Sequence, residues 1–177
     1  MNGPEKIAEP YRSLVSSLVE LIKTEYGDDL VSVAVFGSIA RGTARKDSDL
    51  DVLIIASRLP RSRRERVQRF LNVKSELDPV LEKLLDEGYV ITVSPVILTV
   101  DEANEIPPLF LDVTEDAVIL YDKDNFLKEL LAKLKEKLQE IGATRIWIGS
   151  KRYWKLKHGY SRESEDSWIA MSWQGRT

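Results

Sequence analysis

The stretch VFGSIARGTARKDSDLDVL, residues 35–53, carries the features around which the rest of the chain is organised. Apolar segments flank its polar centre, 30–36 before it and 50–56 after it, and both have the length and composition of buried strands. The centre is therefore predicted to be a turn between two strands. Gly37 and Ser38 come where the first strand ends, and their small size lets backbone N–H groups approach an anion closely.

The second feature of this stretch is a pair of acids, Asp49 and Asp51, at the start of the second strand. Side chains alternate along a strand, so a spacing of two places both carboxylates on one face. Asp47 has the same parity but precedes the strand, and we interpret it as shaping the loop. Two close carboxylates repel unless a cation lies between them, and Mg²⁺ favours one or two carboxylates completed by water and substrate phosphates. The stretch therefore predicts a nucleoside triphosphate, with its phosphates on the Gly-Ser turn and Mg²⁺ or Mn²⁺ on the acids.

Gly37-Ser38-x-Ala40-Arg41-Gly42, followed by Ser48-Asp49-Leu50-Asp51, resembles the motif of the polymerase-beta-type nucleotidyltransferase superfamily. The similarity is to its small stand-alone prokaryotic members, and segments 107–112 and 119–122 also resemble archaeal proteins of this group. The resemblance implies transfer of a nucleotidyl group from a triphosphate to an acceptor. It places the metal on the catalytic Asp49 and Asp51, and the nucleotide on Gly37, Ser38, Arg41 and Gly42.

The third predicted strand differs from this family pattern. Relatives that transfer nucleotides usually carry a third acid there, which helps to bind a second metal and to deprotonate the attacking hydroxyl. Segment 88–100 contains no acid, and Thr92 or Ser94 is expected to face the acidic pair instead. Asp101, just beyond the strand, is interpreted as a helix cap. Three explanations stay open: one metal suffices, an acid comes from elsewhere such as Asp112 or a partner chain, or catalysis has been lost.

Composition limits the class of protein. The chain has 177 residues, 43% of them hydrophobic and 31% charged, with a net charge of -3, which suits one ordinary globular domain and argues against wholesale coating of nucleic acid. It has no cysteine, which excludes disulfides and thiolate chemistry. The first ten residues lack the apolar core of a signal peptide, and no apolar run approaches the roughly 20 residues of a membrane span. We therefore expect a cytoplasmic protein that does not bind membranes.

Hydrophobic periodicity predicts an α/β (α+β) fold, with a mixed sheet flanked by helices and followed by a C-terminal helix and tail. The predicted strands are 30–36, 50–56, 89–99 and 117–121. The predicted helices are one that starts at Glu5 or Tyr11 and ends at Tyr26, 61–77, 79–85 after a break at Asp78-Pro79, a turn and short helix within 101–116, and 125–141. The predicted organisation is a nucleotidyltransferase domain (1–124), a C-terminal helix and short strand or hairpin packed on it (125–160), and a flexible tail (161–177).

Basic residues allow more than one interpretation. Arg41 could pair with an acid or reach a phosphate, and both readings stay open. Segment 151–157 interleaves aromatic and cationic residues and could stack bases, but the family resemblance implies a terminal strand or hairpin packed on the body, and this is favoured. A patch between residues 58 and 69 could hold an RNA backbone or a triphosphate tail, or could be a solvated helix face. It consists of Arg58, Arg61, Arg63, Arg64, Arg66 and Arg69.

The preferred functional hypothesis is a Mg²⁺-dependent nucleotidyltransferase that moves a nucleoside monophosphate from a triphosphate to an unidentified hydroxyl. The acceptor could be RNA, protein or a small molecule, and the enzyme could act as a homodimer. A second hypothesis is a catalytically weak or inactive relative that acts as the antitoxin-like partner of a small helical protein. A third is an RNA-binding accessory that uses the basic patches.

Overall fold

The structure, a computed structural model, describes residues 4–148 and 151–155. Four strands form the central sheet: β1 (Leu30–Phe36), β2 (Leu50–Ala56), β3 (Val93–Thr99) and β4 (Val118–Asp122). Their order is β3-β2-β1-β4, with β1 antiparallel to both β2 and β4 and with β2 parallel to β3. The predicted mixed sheet is confirmed, and the predicted bounds of β1 and β2 agree with the observed ones.

Helices cover both faces of this sheet. They are α1 (Tyr11–Tyr26), α2 (Gly37–Arg41), α3 (Arg63–Asp86), α4 (Val100–Asn104), α5 (Leu109–Asp116) and α6 (Phe126–Glu140). Short 3₁₀ turns are present at Pro4–Lys6, Gly27–Asp29 and Lys123–Asn125. After α6, β5 (Thr144–Ile148) and β6 (Lys151–Lys155) pair as an antiparallel hairpin. The predicted tail, 161–177, lies outside the described residues.

The alternation of side chains along β2 explains why helices pack on both faces. Val52 and Ile54 belong to the cluster that includes side chains of α1 and α3. Leu53 and Ile55 belong to the opposite cluster, with side chains of α5 and α6. All four are fully buried. The face that carries Leu53 also carries Asp51, because the two are separated by two positions.

The predicted apolar stripe of α1 forms part of the core. Leu14, Leu18 and Ile22 are completely buried, as their helical spacing predicts. Gly27 ends the helix with a positive φ of 52°, and its N–H bonds to the carbonyl of Lys23. The interpretation of this stripe as core and of Gly27 as the helix stop is confirmed.

The predicted break at Asp78-Pro79 is wrong, since α3 runs without interruption through Pro79. Proline cannot donate a backbone hydrogen bond, so the carbonyl four residues earlier, that of Ser75, loses its helical partner. Pro79 and Ser75 are both exposed, so water can satisfy that carbonyl. The buried face of the helix is unaffected by the proline and carries Phe70, Val73, Leu77 and Leu84.

The third strand begins at Val93 and not at Tyr89 as predicted. The Tyr89 N–H bonds to the Leu84 carbonyl at 2.8 Å, and the Val90 N–H bonds to the Lys46 carbonyl at 2.7 Å. These donors serve the end of α3 and the loop before β2, and so do not enter the ladder. Apolar composition predicted the strand, but competing backbone partners determine where it starts.

The segment 101–116 contains two short helices in place of the predicted one. Ile106 lies between them with a positive φ of 51°, and Pro107 and Pro108 follow it. The interpretation of Asp101 as a cap is also wrong. Thr99 caps α4 in a capping box, its hydroxyl accepting from the Glu102 N–H at 3.1 Å while the Glu102 carboxylate accepts from the Thr99 N–H at 2.8 Å.

The outer edge of β3 is closed by the chain's own groups. Pro95 has no N–H, the Ile97 carbonyl accepts from Arg66 at 3.3 Å, and the Thr99 N–H is bound to Glu102. The Arg66 guanidinium is also paired with the Glu102 carboxylate at 2.5 Å. An edge strand whose backbone groups are occupied in this way is protected against pairing with another strand.

Side chains of the β5–β6 hairpin contact the body. Arg145 of β5 binds carboxylates of α5, and Trp154 of β6 packs against the cluster that includes α5 and α6 side chains. Arg145 and Trp154 are register partners. This agrees with the hairpin interpretation of 151–157, whose last two residues lie outside the described part of the chain.

Candidate active site

The turn between β1 and β2 begins as one short helix. Gly37 follows the last residue of β1 directly and has a φ of 76°, a conformation that non-glycine residues rarely adopt. Gly42 ends the helix with a φ of 72°, and its N–H bonds to the Ile39 carbonyl at 3.1 Å. The Thr43 N–H bonds to the Ser38 carbonyl at 2.9 Å. The two glycines thus fix a tight bend at the end of β1.

The acidic pair, Asp49 and Asp51, lies beside this bend. Asp51 is the register partner of Phe36 across the β1–β2 ladder. A Cβ atom added to Gly37 would lie 2.3 Å from Asp51 Oδ2, so the carboxylate occupies the space that any side chain at position 37 would need. Asp49 is exposed and Asp51 is partly buried. The sequence predicted that the acids face the Gly-Ser turn, and Asp51 does.

The surroundings of the acidic pair raise the pKa of Asp51 and provide no ion-pair partner in the described residues. Burial and, after it, the nearby charge of Asp49 together raise the pKa of Asp51 to about 6, while Arg41 acts in the opposite direction. Neither acid forms an ion pair with any part of the chain that the structure describes. Two close oxygen donors, one of them held at an elevated pKa, suit a divalent cation of the Mg²⁺ type.

The loop that leads to the acidic pair is attached to the body at several points. Tyr11 donates its hydroxyl to the Arg45 carbonyl at 2.5 Å. Lys46 donates to the Glu87 carbonyl at 3.0 Å, and its ammonium lies 4.6 Å from the centre of the Tyr89 ring. Side chains outside the loop therefore restrict its conformation. Asp47 pairs with Arg45 inside the loop, at 3.2 Å, as expected for a residue that shapes it.

Ser94 stands where the family pattern expects a third acid. It is the register partner of Asp51 in the parallel β2–β3 ladder, so the two side chains lie side by side on one face. Thr92 precedes β3, and its carbonyl accepts from the Leu50 N–H at 2.8 Å. Across residues 4–148 and 151–155, no three acidic, histidine or cysteine side chains are grouped so that they could hold a metal ion. Two carboxylates are therefore the protein ligands that this site offers.

Arg41 pairs with an acid that sequence reasoning did not single out for this role. Its Nη1 lies 2.6 Å from Oδ2 of Asp116, the last residue of α5, whose side chain is 7% exposed. Arg145 donates to both oxygens of the same carboxylate, at 3.1 and 3.0 Å, and lies 3.6 Å from Asp112. We call these four residues the Asp116 cluster. Asp112, considered above as a source of the missing acid, contacts Arg145.

The predicted arginine patch is divided between structural and exposed residues. Arg66 is buried against β3, Arg69 donates to the Glu25 carbonyl at 2.7 Å, and Arg58 pairs with Asp29 at 2.6 Å. Arg61, Arg63 and Arg64 are exposed, and Arg58 is too, with 82% of its side chain accessible despite its ion pair. Arg66 and Arg69 therefore serve the fold. The solvated-face interpretation fits the other four.

The chain matches the model of a known protein family over most of its length. The model of the family described as "Nucleotidyltransferase domain" matches residues 15–148, which include the bend, the acidic pair and the Asp116 cluster. The chain belongs to this family. The central sheet of this nucleotidyltransferase is the mixed sheet that the sequence predicted. No helix of the described ranges has both the length and the apolar character needed to cross a membrane.

Individual relatives of this nucleotidyltransferase span most of its length. A protein of Methanocaldococcus jannaschii named "Putative protein adenylyltransferase" is 34% identical over 148 residues, covering 81% of this chain and 92% of the relative. A toxin–antitoxin structure with AMP-PNP matches at a TM-score of 0.46 and 16% identity, covering 72% of this chain and 91% of the other. The toxin–antitoxin MntA-HepT matches at a TM-score of 0.43 and 13% identity, covering 74% and 92%. The family assignment does not depend on these structural likenesses.

Proposed function

We propose that this nucleotidyltransferase transfers the adenylyl group of ATP to a hydroxyl group of a protein, with Mg²⁺ bound by Asp49 and Asp51. The observation that carries the proposal is the close approach of the Asp51 carboxylate to the backbone at Gly37, where an added Cβ would lie 2.3 Å away. A metal-binding acid and a phosphate-binding bend thus share one small space. The adenylyl group and the protein acceptor are supported by the name of the archaeal relative.

In this reaction the acceptor oxygen forms a bond to the α-phosphorus of ATP. The bond from that phosphorus to the bridging oxygen of the β-phosphate breaks, pyrophosphate leaves with the electron pair, and the hydroxyl proton passes to solvent. Backbone N–H groups of Gly37 and Ser38, in the first turn of α2, have no partners within the helix and can donate to phosphate oxygens. When bound, Mg²⁺ would neutralise charge on the polyphosphate. The chain's own contribution is therefore positioning and charge stabilisation.

A second candidate function is kept because of Ser94. Its position beside Asp51 leaves the site with a hydroxyl where transferring relatives have a carboxylate. A nucleotide could still bind, because phosphates complete much of a Mg²⁺ shell. The chain would then act as the antitoxin-like partner of a small helical protein. This alternative predicts stable co-purification with such a partner and no transfer by the isolated chain.

The experiment that tests the first proposal uses each of the four α-labelled ribonucleoside triphosphates with Mg²⁺ or Mn²⁺ and an extract of the source cells. We expect label from ATP in a product that protease destroys and ribonuclease does not. Label that ribonuclease removes would replace the protein acceptor by RNA, and label in the low-molecular-weight fraction would replace it by a small molecule. Absence of transfer from every triphosphate would reject the enzymatic proposal and favour the second candidate.

A further inference from the structure

We infer that Asp116 is a positioning residue for nucleotide binding, because it fixes Arg41 of the motif helix beside the acidic pair. The inference rests on the proposed function, since it names the group that orders one of that site's phosphate contacts. The two residues are 75 positions apart in sequence, and Arg41 Nη1 lies 2.6 Å from Asp116 Oδ2. No sequence spacing links them, so only folding brings them together.

Asp116 has two features that would be unfavourable for folding without a cationic partner. It is the last residue of α5, where the helix dipole disfavours a negative charge. It is also buried, with its side chain 7% exposed, and burying a carboxylate is costly unless it is paired. A neutral or basic residue would serve the helix end better. Residues that break local rules are expected at functional sites more than elsewhere.

Two guanidinium groups bind the Asp116 carboxylate. Arg145 of β5 donates Nη1 to Oδ1 and Nη2 to Oδ2 of Asp116, which is the planar two-bond geometry that a guanidinium and a carboxylate prefer. Arg145 also lies 3.6 Å from Asp112, so its charge is shared between two carboxylates. Arg41 supplies the second cation on Oδ2 of Asp116, and the two guanidinium groups together balance the two aspartates.

Arg41 retains hydrogen-bond donors that Asp116 does not use. A guanidinium carries five N–H donors, and within residues 4–148 and 151–155 its side-chain hydrogen bond goes to Asp116 alone. Arg41 is the last residue of α2, whose first residue is Gly37 at the bend, and its charge acts on Asp51 of the acidic pair. Its side chain is 27% exposed and can be reached by a ligand.

The topology explains how Asp116 reaches this position. Val118 of β4 is the register partner of Val35 of β1, so the end of α5 arrives beside the end of β1, where α2 begins. The carboxylate thus restrains the rotamers of a long side chain before nucleotide arrives. A guanidinium ordered in advance loses less conformational entropy on binding phosphate. Both readings of Arg41 left open by the sequence then hold together: it pairs with an acid, and it reaches a phosphate.

The test is a double-mutant cycle read by the affinity for ATP in the presence of Mg²⁺, using Arg41→Gln, Asp116→Asn and the double variant. We expect each single change to weaken ATP binding about tenfold, because each removes an ordered charge-assisted contact. The double variant should be no weaker than either single one, since both act through one guanidinium. In transfer assays the KM for ATP should rise more than kcat falls.

A matched control is Glu115→Gln, which removes the neighbouring acid of α5, whose ion pair with Lys135 spans 3.9 Å. It should leave ATP affinity unchanged. Melting temperatures are measured for every variant, so that a loss of folded protein is not counted as weaker binding. If the wild type binds ATP and Asp116→Asn binds it equally well, the inference is overturned but the proposed function is not. The same holds if the losses of affinity in the two single variants add in the double variant. A wild-type chain that binds no ATP would overturn both the inference and the proposed function.

Discussion

The molecule holds carboxylates near α2 in two different arrangements. In the acidic pair, two aspartates lie together without an ion-pair partner in the described ranges, and burial together with mutual repulsion raises the pKa of Asp51 to about 6. In the Asp116 cluster, one more deeply buried carboxylate receives hydrogen bonds from two guanidinium groups. The first arrangement leaves charge uncompensated, and the second satisfies it.

This difference is the one expected if the acidic pair binds a cation and the Asp116 cluster stabilises the fold. Buried charges are normally paired, and an unpaired pair of acids costs stability. A bound cation would remove that cost, whereas the Asp116 carboxylate already has cationic partners within the chain. Arg41 connects the two arrangements, because it bonds to Asp116 and acts electrostatically on Asp51. The following predictions test whether the two groups of acids behave as differently as their surroundings imply.

The largest effect is expected from Asp49→Asn combined with Asp51→Asn. Removal of both carboxylates should lower nucleotide transfer by at least about 1000-fold, because it removes the ligands of the proposed metal. Nucleotide binding that depends on Mg²⁺ should be lost as well. Label transfer and equilibrium binding measure the two effects. Asp47→Asn, a change of the same kind in the same loop, is the control, and unchanged transfer in the double variant would reject the site.

The second prediction concerns Asp116, whose carboxylate is already paired within the chain. Asp116→Ala should lower the free energy of unfolding by about 3 kcal/mol, since it leaves two partly buried arginines without their common partner. Urea denaturation at pH 7.5 measures the change, and Glu115→Ala on the same helix is the control. If Asp116→Ala were as stable as the wild type, the cluster would be a surface feature and the contrast with the acidic pair would disappear.

The third prediction is a gain in the free energy of unfolding when the Asp51 carboxylate is removed. Because the folded-state pKa of Asp51 is about 6, above its unfolded value of 3.8, its ionisation opposes folding as pH rises from about 4 to about 6. The full shift corresponds to roughly 3 kcal/mol, which partial exposure reduces to about 1–2 kcal/mol. Without divalent cations, Asp51→Asn should therefore stabilise the protein at pH 7.5 and have little effect near pH 4.

Urea denaturation of wild type and Asp51→Asn at the two pH values, with and without Mg²⁺, measures this difference. Mg²⁺ should stabilise the wild type by mass action and close the gap between the two proteins. Asp47→Asn again serves as the control, because that acid is exposed and pairs with Arg45. A loss of stability in Asp51→Asn at pH 7.5 would show that the carboxylate is already satisfied by the chain.

The sequence predicted the central part of this molecule well because its rules are local. Apolar runs predict the strands 30–36 and 50–56, and the small size of Gly37 and Ser38 predicts the bend. The spacing of Asp49 and Asp51 placed them on one face. Local reasoning was wrong at Pro79, where α3 continues because the proline lies on its exposed face. It was wrong at Asp101 as well, where Thr99 and Glu102 form the cap.

The sequence could not predict the partner of Arg41. A pairing across 75 positions leaves no periodic pattern, and Asp116 lies in a segment rich in acids, with Asp112 and Glu115 close by. A possible signal was the acid at the end of a predicted helix, which the helix dipole disfavours. That signal marks Asp116 as unusual, but it does not indicate which cation it binds.

By itself, the sequence determined the family, the mixed sheet and the two acids beside a glycine bend, because short-range spacing and side-chain size specify these features. The tertiary structure decided which neutral residue lies beside Asp51, which arginines are buried in the fold, and what holds Arg41. These outcomes depend on strand register and on contacts between distant segments. Strand register places Ser94 next to Asp51, and the pairing of β4 with β1 brings Asp116 to the motif helix.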